Sequence, residues 1–361
     1  FESVKSNKQK LFAFHEKLRT LKFLDPACGC GNFLVIAYRE LRLLELEILR
    51  VRFKVNEKSG QTENIQTMIL LDVDQFYGIE IEEFPAQIAQ VALWLMDHQI
   101  NLKISEEFGE YFARIPLRSS GSIVCGNALR LDWNEVVLAK ELNYIFGNPP
   151  FLGKNFQSDE QKADMSFVFL GLKSSASLDF VTAWYRKSVD FMKSNDLIQT
   201  AFVSTNSITQ GEQVSLLWPD LLSRGIVINF AHRTFQWNNE AKGNAAVHCV
   251  IIGFGLKTAK QKIIFDYENI KSDPHTIQAK NINPYLTDAL NIIVSTRSKP
   301  ICNVQEMING SKPTDGGNLL LSSVEKERIL NIEPNAEKYI KSYVGSEEFI
   351  NNIPRYCLWL V

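Results

Sequence analysis

The sequence predicts an α/β protein built on a parallel, doubly wound sheet that ends in a hairpin-like pair of strands. Short β-rich runs alternate with segments of helical periodicity from residue 22 to about 206, the order that parallel βαβ units impose. Two further β-rich runs, "IVINFAHRTF" and "AVHCVIIGF", then follow each other closely, joined by the polar "QWNNEAKGN". Beyond about residue 257 the chain turns polar and irregular, and "NGSKPTDGGN" is rich in turn formers. A domain boundary is expected there, dividing 1–257 from 258–361.

The elements follow in order. Residues 1–20 read as a helix, with Leu11, Phe12, Phe14 and Leu18 on one face. "KFLDPA" is strand-like and leads into the Gly-rich "CGCGN". From Phe33 to about Phe53 the chain has no Gly or Pro and reads as a long helix, followed by the surface loop "NEKSGQTEN". "QFYGIEI" is a second strand, and Pro85 suits the first turn of the helix that follows. "GSIVCGN" and "YIFGNPP" are two more short strands. A polar loop is expected over 152–176, then a helix in "LDFVTAWYRKSVDFMK" and a strand in "IQTAFVSTN". No internal repeat or low-complexity tract is present.

The chain has 361 residues, 45% hydrophobic and 22% charged, ordinary values for a globular protein. A net charge of -2 gives no global basic signature of a nucleic-acid binder, although a local basic patch or a further domain can supply the positive field. Six scattered cysteines and no recognisable signal peptide lead to the expectation of free thiols in a reducing cytoplasm. No apolar stretch approaches the roughly 18 to 20 residues of a membrane span. The absence of an initial Met and the apolar end "RYCLWLV" read as a fragment cut from a longer polypeptide.

Four motifs carry chemistry. "FLDPACGCGNF" is a strand, a Gly-rich turn and a helix start, with Gly29 and Gly31 allowing close backbone approach to a ligand. It departs from the dinucleotide G-x-G-x-x-G, and the carboxylate of Asp25 at its mouth suits an ammonium better than a pyrophosphate. By itself the stretch also fits a plain βα turn. In "GIEI", Glu80 stands at the carboxyl end of a strand, where ligands of open α/β sheets bind, and can accept from two ribose hydroxyls. A solvated loop glutamate is the plainer reading of that residue alone. "CGNAL" places the Asn127 amide at a third strand end, within reach of an adenine edge.

In "GNPPF", Asn148 offers a side-chain carbonyl, and Pro149 a backbone carbonyl held by the ring of Pro150. Two fixed acceptors can hold both hydrogens of an exocyclic amine. That relocalises the nitrogen lone pair and aims it at an electrophile such as a sulfonium methyl. Phe151 would stack on a flat base. A simple Pro-rich turn is the competing reading.

Taken together and in this order, "DPACGCGNF", "GIEI" and "GNPPF" resemble the N6-adenine DNA methyltransferases of the γ arrangement, over roughly residues 22–255. The longer stretches "DPACGCGNFLVIAYRELRLLE", "VSTNSITQGEQV", "HRTFQWNNEAKGNAAVHCVIIGF", "PTDGGNLLLS" and "GSEEFINNIPRYCLWL" are similar to the MmeI-type restriction–modification enzymes, type IIL within IIG. The resemblance implies a Rossmann-like class I methyltransferase sheet of seven strands with the last antiparallel, and then the start of a recognition domain. It implies S-adenosylmethionine as cofactor, with Asp25 and the turn Ala27, Cys28, Gly29 and Gly31 at its methionine part. Glu80 would take the ribose, and Ile81, Asn127 and Ala128 would lie at the adenine. Asn127 stands where the family usually has Asp, and Cys30 where Ser is commoner.

Asn148, Pro149, Pro150 and Phe151 would be catalytic, Asn148 also meeting the cofactor. Phe151 and Phe235 would stack on a flipped base. Double-stranded DNA is the implied partner, and base flipping is required because a stacked base cannot enter a pocket at a sheet edge. The N-terminal nuclease of such enzymes, their upstream "YTP"-like motif and the rest of the recognition domain are expected to lie outside this chain. Two alternatives stay open: an RNA or protein-glutamine methyltransferase with a related Asn-Pro-Pro-aromatic turn, and a non-catalytic DNA-specificity fragment.

Other features are read as structural. Cys28 and Cys30 lack a second ligand pair for zinc, "LDVD" at 71–74 lacks the Gly and Glu of a calcium loop, and the basic stretch Lys5 to Lys22 is a solvated helix face.

Overall fold

The computed structural model describes residues 1–59, 64–109, 122–172, 174–237, 247–295, 297, 299–305 and 315–360. The chain divides into two compact units, Phe1–Thr296 and Arg297–Val361.

In the first unit β1 (Phe23–Asp25), β2 (Phe76–Glu80), β3 (Ile123–Cys125), β4 (Tyr144–Gly147), β5 (Gln199–Thr205), β6 (Val227–Trp237), β7 (Val247–Gly255), β8 (Lys262–Asp266) and β9 (His275–Ala279) form one sheet. Its order is β3-β2-β1-β4-β5-β7-β6-β8-β9. The strands from β3 to β5 are parallel, and β7 runs antiparallel between β5 and β6. The first seven strands are therefore the expected Rossmann-like methyltransferase sheet with one reversed strand.

The helices are α1 (Lys8–Arg19), α2 (Asn32–Ser59), α3 (Ile65–Met68), α4 (Glu83–Phe108), α5 (Asp159–Val168), α6 (Thr182–Met192) and α7 (Gly211–Ser223). Successive strand residues point to opposite faces, and β1 shows the two layers directly. Phe23 joins a core with Leu34 and Tyr38 of α2 and Ala89 and Leu93 of α4. Leu24 joins a core with Trp184 and Val189 of α6 and Leu217 and Trp218 of α7. Helix ends follow local chemistry. Asn7 caps α1 by accepting from Lys10 N, and Gly109 ends α4 in the left-handed region at φ 70°.

The helices depart from the sequence expectation in two places. The loop foreseen over 152–176 contains α5, started by a capping box in which Ser158 and Gln161 exchange hydrogen bonds. Only Asp164 and Met165 of α5 are buried, so the helix has no apolar stripe for periodicity to detect. Helix α7, not expected from sequence, carries Pro219 inside it. The division between the two compact units lies between Thr296 and Arg297. β8 pairs parallel with β6 and β9 pairs with β8, which extends the sheet by two short strands in polar flanks. All of the β6–β7 connection, residues 238–246, and part of the loop after α2 lie outside the described residues.

The second unit has a sheet in the order β10-β12-β11, from β10 (Leu320–Ser322), β11 (Ile340–Tyr343) and β12 (Arg355–Leu358), all antiparallel, with α8 (Ser323–Ile332) and α9 (Ser346–Asn351).

Candidate active site

Strand order reverses direction of travel between β1 and β4, which makes a crevice at the carboxyl edge. A cleft of about 740 Å3 opens there. Ala27, Glu80, Ile81, Asn127, Ala128, Asn148 and Pro150, all expected from sequence, line it together with residues of α5 and α6. Asp25, Cys28, Gly29, Gly31, Pro149, Phe151 and Phe235 are not on its wall.

Asp25 lies beneath the cleft floor, fully buried. Its Oδ1 accepts from Ala27 N at 3.0 Å, and a Cβ on Gly147 would collide with the carboxylate, so the tip of β4 needs glycine. Burial pushes the Asp25 pKa up to about 7; the Ala27 N–H lowers it and the nearby Glu80 charge raises it. The turn after Asp25 is clamped by Trp184, whose Nε1 donates to Pro26 O at 3.0 Å. Gly31 has φ 83°, and an added Cβ would lie 2.9 Å from Ala89 Cβ, so α4 closes on this turn only because Gly31 has no side chain. The Cys28 thiol is buried and its pKa is pushed up by burial, which leaves the backbone of that residue as its usable part.

Glu80 ties the turn to β2. Its Oε2 accepts from Gly29 N at 2.8 Å and its Oε1 from Glu82 N at 3.1 Å. A carboxylate oxygen accepts about two hydrogen bonds, so each keeps a free acceptor site. Ile81 beside it is 62% exposed, an open apolar surface on which a flat ring can rest.

At β3, Asn127 folds back on its own turn: its Oδ1 accepts from Leu129 N at 2.9 Å and its Nδ2 donates to Asp164 Oδ2 at 2.8 Å. Arg130 Nε donates to the other oxygen, Asp164 Oδ1, at 2.5 Å. Asp164 and Arg130 both line the cleft and have no counterpart among the sequence candidates. The capping box of α5 was the available signal, since it starts a helix whose second turn carries Asp164.

At β4, Asn148 Oδ1 is buried and has no hydrogen-bond partner. An unsatisfied buried carbonyl costs about 1–3 kcal/mol, and at a cleft it is an acceptor awaiting a donor. Pro149 is buried and Pro150 exposed. Phe151 is half-buried against the core, and the chain beyond it is held by Phe180 N donating to Leu152 O at 2.9 Å. Phe235 sits on β6 opposite Cys249 of β7, which is in turn opposite Thr205 at the end of β5. It thus lies about three strand spacings, roughly 14 Å, from β4 along the same edge. Its ring stacks on Tyr267 at 5.5 Å and meets His232 edge-on at 6.3 Å. Among the described residues no cluster of His, Cys, Asp and Glu is arranged to hold a metal, and no helix is long and apolar enough to cross a membrane.

A reversed-strand sheet with acidic and amide groups at successive strand tips is the frame of a methyltransferase domain, and the chain falls into such a family. Residues 1–266 match the model of the MmeI DNA-methyltransferase domain, and residues 288–361 that of the MmeI target recognition domain. The chain belongs to the MmeI DNA-methyltransferase domain family. It is 43% identical to "DNA methyltransferase A" of Bacillus subtilis (strain 168) over 348 residues, 95% of this chain and 38% of that protein. The solved structure of the type IIL restriction-modification enzyme MmeI in complex with DNA matches with a TM-score of 0.92 at 60% identity, over 100% of this chain and 48% of that one. This chain thus spans less than half the length of either relative.

Proposed function

We propose that this chain is the methyltransferase module of a restriction–modification enzyme, acting on N6 of an adenine flipped out of duplex DNA, with S-adenosylmethionine as methyl donor. The observation that carries the reading is the buried, unpartnered Asn148 Oδ1 at the tip of β4, on the wall of the edge cleft. The cofactor supplies a methyl group on a sulfonium, which needs a nucleophile with an available lone pair and no prior deprotonation. Asn148 Oδ1 and the Pro149 carbonyl accept the two N–H bonds of the amine and set its lone pair toward the cleft. Phe151 offsets the few kcal/mol that flipping costs by stacking, with Phe235 as the second ring.

The cleft fits the cofactor. Pro26 and Ala27 on the cleft wall, with Asp25 beneath them, would hold the amino-acid end, Glu80 the ribose through its free acceptor sites, and Ile81 a face of the adenine. The match of 288–361 to a recognition-domain model supports DNA over RNA or protein as substrate. We take those residues as the beginning of the element that reads sequence, with the first unit as the methyltransferase. The remaining recognition residues and an endonuclease belong to the rest of the parent protein, which would work on DNA in the cytoplasm. Most phosphate contacts would then lie elsewhere, in keeping with the near-neutral charge of this chain.

The test is transfer of tritiated methyl from the cofactor to duplex DNA by the full-length protein, with the product nucleoside identified. N6-methyladenine is expected, and Asn148→Ala is expected to slow transfer about 10²- to 10³-fold while cofactor binding is largely kept. Product found as N4-methylcytosine, or only on RNA or protein, overturns the reading.

A further inference from the structure

We propose that Asp164 on α5 selects the 6-amino purine of the cofactor, supplying from a helix the charged acceptor that the strand tip at Asn127 lacks. The inference rests on the reading of the cleft as a cofactor site and adds a residue that the motifs do not contain. The strand tips run β4, β1, β2, β3 along the edge. A nucleoside whose reactive end lies at Asn148 and whose ribose lies at Glu80 therefore brings its base to Asn127.

At that end the Asn127 carbonyl is turned away, accepting from Leu129 N at 2.9 Å, and its amide points at Asp164. Three carboxylates line the cleft. Glu80 is engaged at β2 by Gly29 and Glu82, and Glu160 is exposed on the first turn of α5. Asp164 is the one hydrogen-bonded to the β3 tip, at 2.8 Å. Its side chain is 11% exposed, with one oxygen on Asn127 and the other on Arg130. Each oxygen still has room for one more hydrogen bond. The amino group of adenine donates to such an oxygen, and the second N–H of the Asn127 amide donates to the neighbouring ring nitrogen. A 6-oxo purine reverses both roles, setting its carbonyl against a nearly dry carboxylate. Sites built around a buried polar partner reject the mismatched analogue far more strongly than apolar pockets do. The Ser158–Gln161 capping box and the burial of Met165 fix α5 so that Asp164 meets β3.

Calorimetric titration of the full-length protein with S-adenosylhomocysteine and with its 6-oxo counterpart, S-inosylhomocysteine, tests this. The wild type is expected to favour the amino form by about ten- to hundredfold. In Asp164→Asn that ratio falls to near one. Asn127→Asp alone sets two carboxylates side by side and weakens both ligands, whereas Asn127→Asp with Asp164→Asn returns a carboxylate to the β3 tip and restores the preference. A wild-type ratio near one overturns the assignment, and so does an Asp164→Asn variant, folded by its melting curve, that keeps the wild-type ratio. A wild-type protein that binds neither ligand refutes the cofactor reading itself.

Discussion

The edge cleft, about 740 Å3, and a groove on the face of the same sheet, about 670 Å3, differ little in volume and almost wholly in lining. The groove is walled by rings, among them Phe23, Tyr144, Phe146, Phe230, Phe254 and Phe265. These rings serve one another: Phe23 stacks on Phe76 at 4.8 Å and on Tyr144 at 5.4 Å, and Phe265 on His232 at 4.1 Å. The cleft instead gathers Glu80, Asn127, Asn148 and Asp164, each at or against a strand tip and each with hydrogen-bonding capacity left over. Size does not separate the candidate site from sheet packing. Unspent hydrogen-bonding capacity does.

The largest expected effect separates the two regions by stability. Phe254 is 1% exposed, lines the groove and stacks on Tyr185 at 5.2 Å. Phe254→Ala is expected to cost about 3–5 kcal/mol in denaturant unfolding. Affinity of the folded protein for S-adenosylhomocysteine should stay within about twofold, because no cleft residue loses a partner. A parallel loss of affinity in folded protein would break the division between packing groove and recognition cleft.

The same contrast explains what sequence could show. Strand tips were legible because chemistry and periodicity coincide there: Asp25, Glu80, Asn127 and Asn148 each end an apolar run, and parallel strands bring such ends to one edge. The family followed from the order of those tips. Asp164 was not legible, since it lies on a helix with no apolar stripe and acquires meaning only from its 2.8 Å contact with a residue 37 positions earlier. The strands β8 and β9 escaped for a related reason, being short and set among polar residues, with β8 joined to the sheet through β6, some 30 residues earlier, and β9 only through β8. Phe235 was legible as an aromatic in a strand, but its stacking on Tyr267 depends on where the chain returns after β8.

A smaller effect sharpens the role of Asp25, which sits below the cleft floor with a pKa of about 7 and the Glu80 charge beside it. A carboxyl with a raised folded pKa stabilises the free protein most when protonated, and that contribution is lost as pH rises from the ordinary carboxylate range through about 7. An ammonium-bearing ligand prefers the ionised form, so its affinity moves the opposite way. Affinity for S-adenosylhomocysteine is expected to rise about tenfold between roughly pH 6 and pH 8, with proton release near neutrality visible as a buffer-dependent heat. Asp25→Asn should flatten the profile. A flat wild-type profile would restrict Asp25 to holding the turn through Ala27.

The smallest effect belongs to Ile81, where cleft and surface meet. A side chain that is 62% exposed contributes little to folding, so Ile81→Ala is expected to change unfolding free energy by no more than about 0.5 kcal/mol. If a purine rests on that side chain, the substitution uncovers part of one ring face. At about 25 cal/mol per Å2 for a few tens of Å2, the loss corresponds to roughly three- to tenfold in affinity. Calorimetry on Ile81→Ala and Ile81→Val reads the difference, the valine variant retaining most of the contact. Equal loss for amino and 6-oxo ligands is expected, because Ile81 touches a ring face and not the edge that Asp164 reads. A loss confined to the amino form would place Ile81 at that edge, and no loss at all would seat the base elsewhere in the cleft.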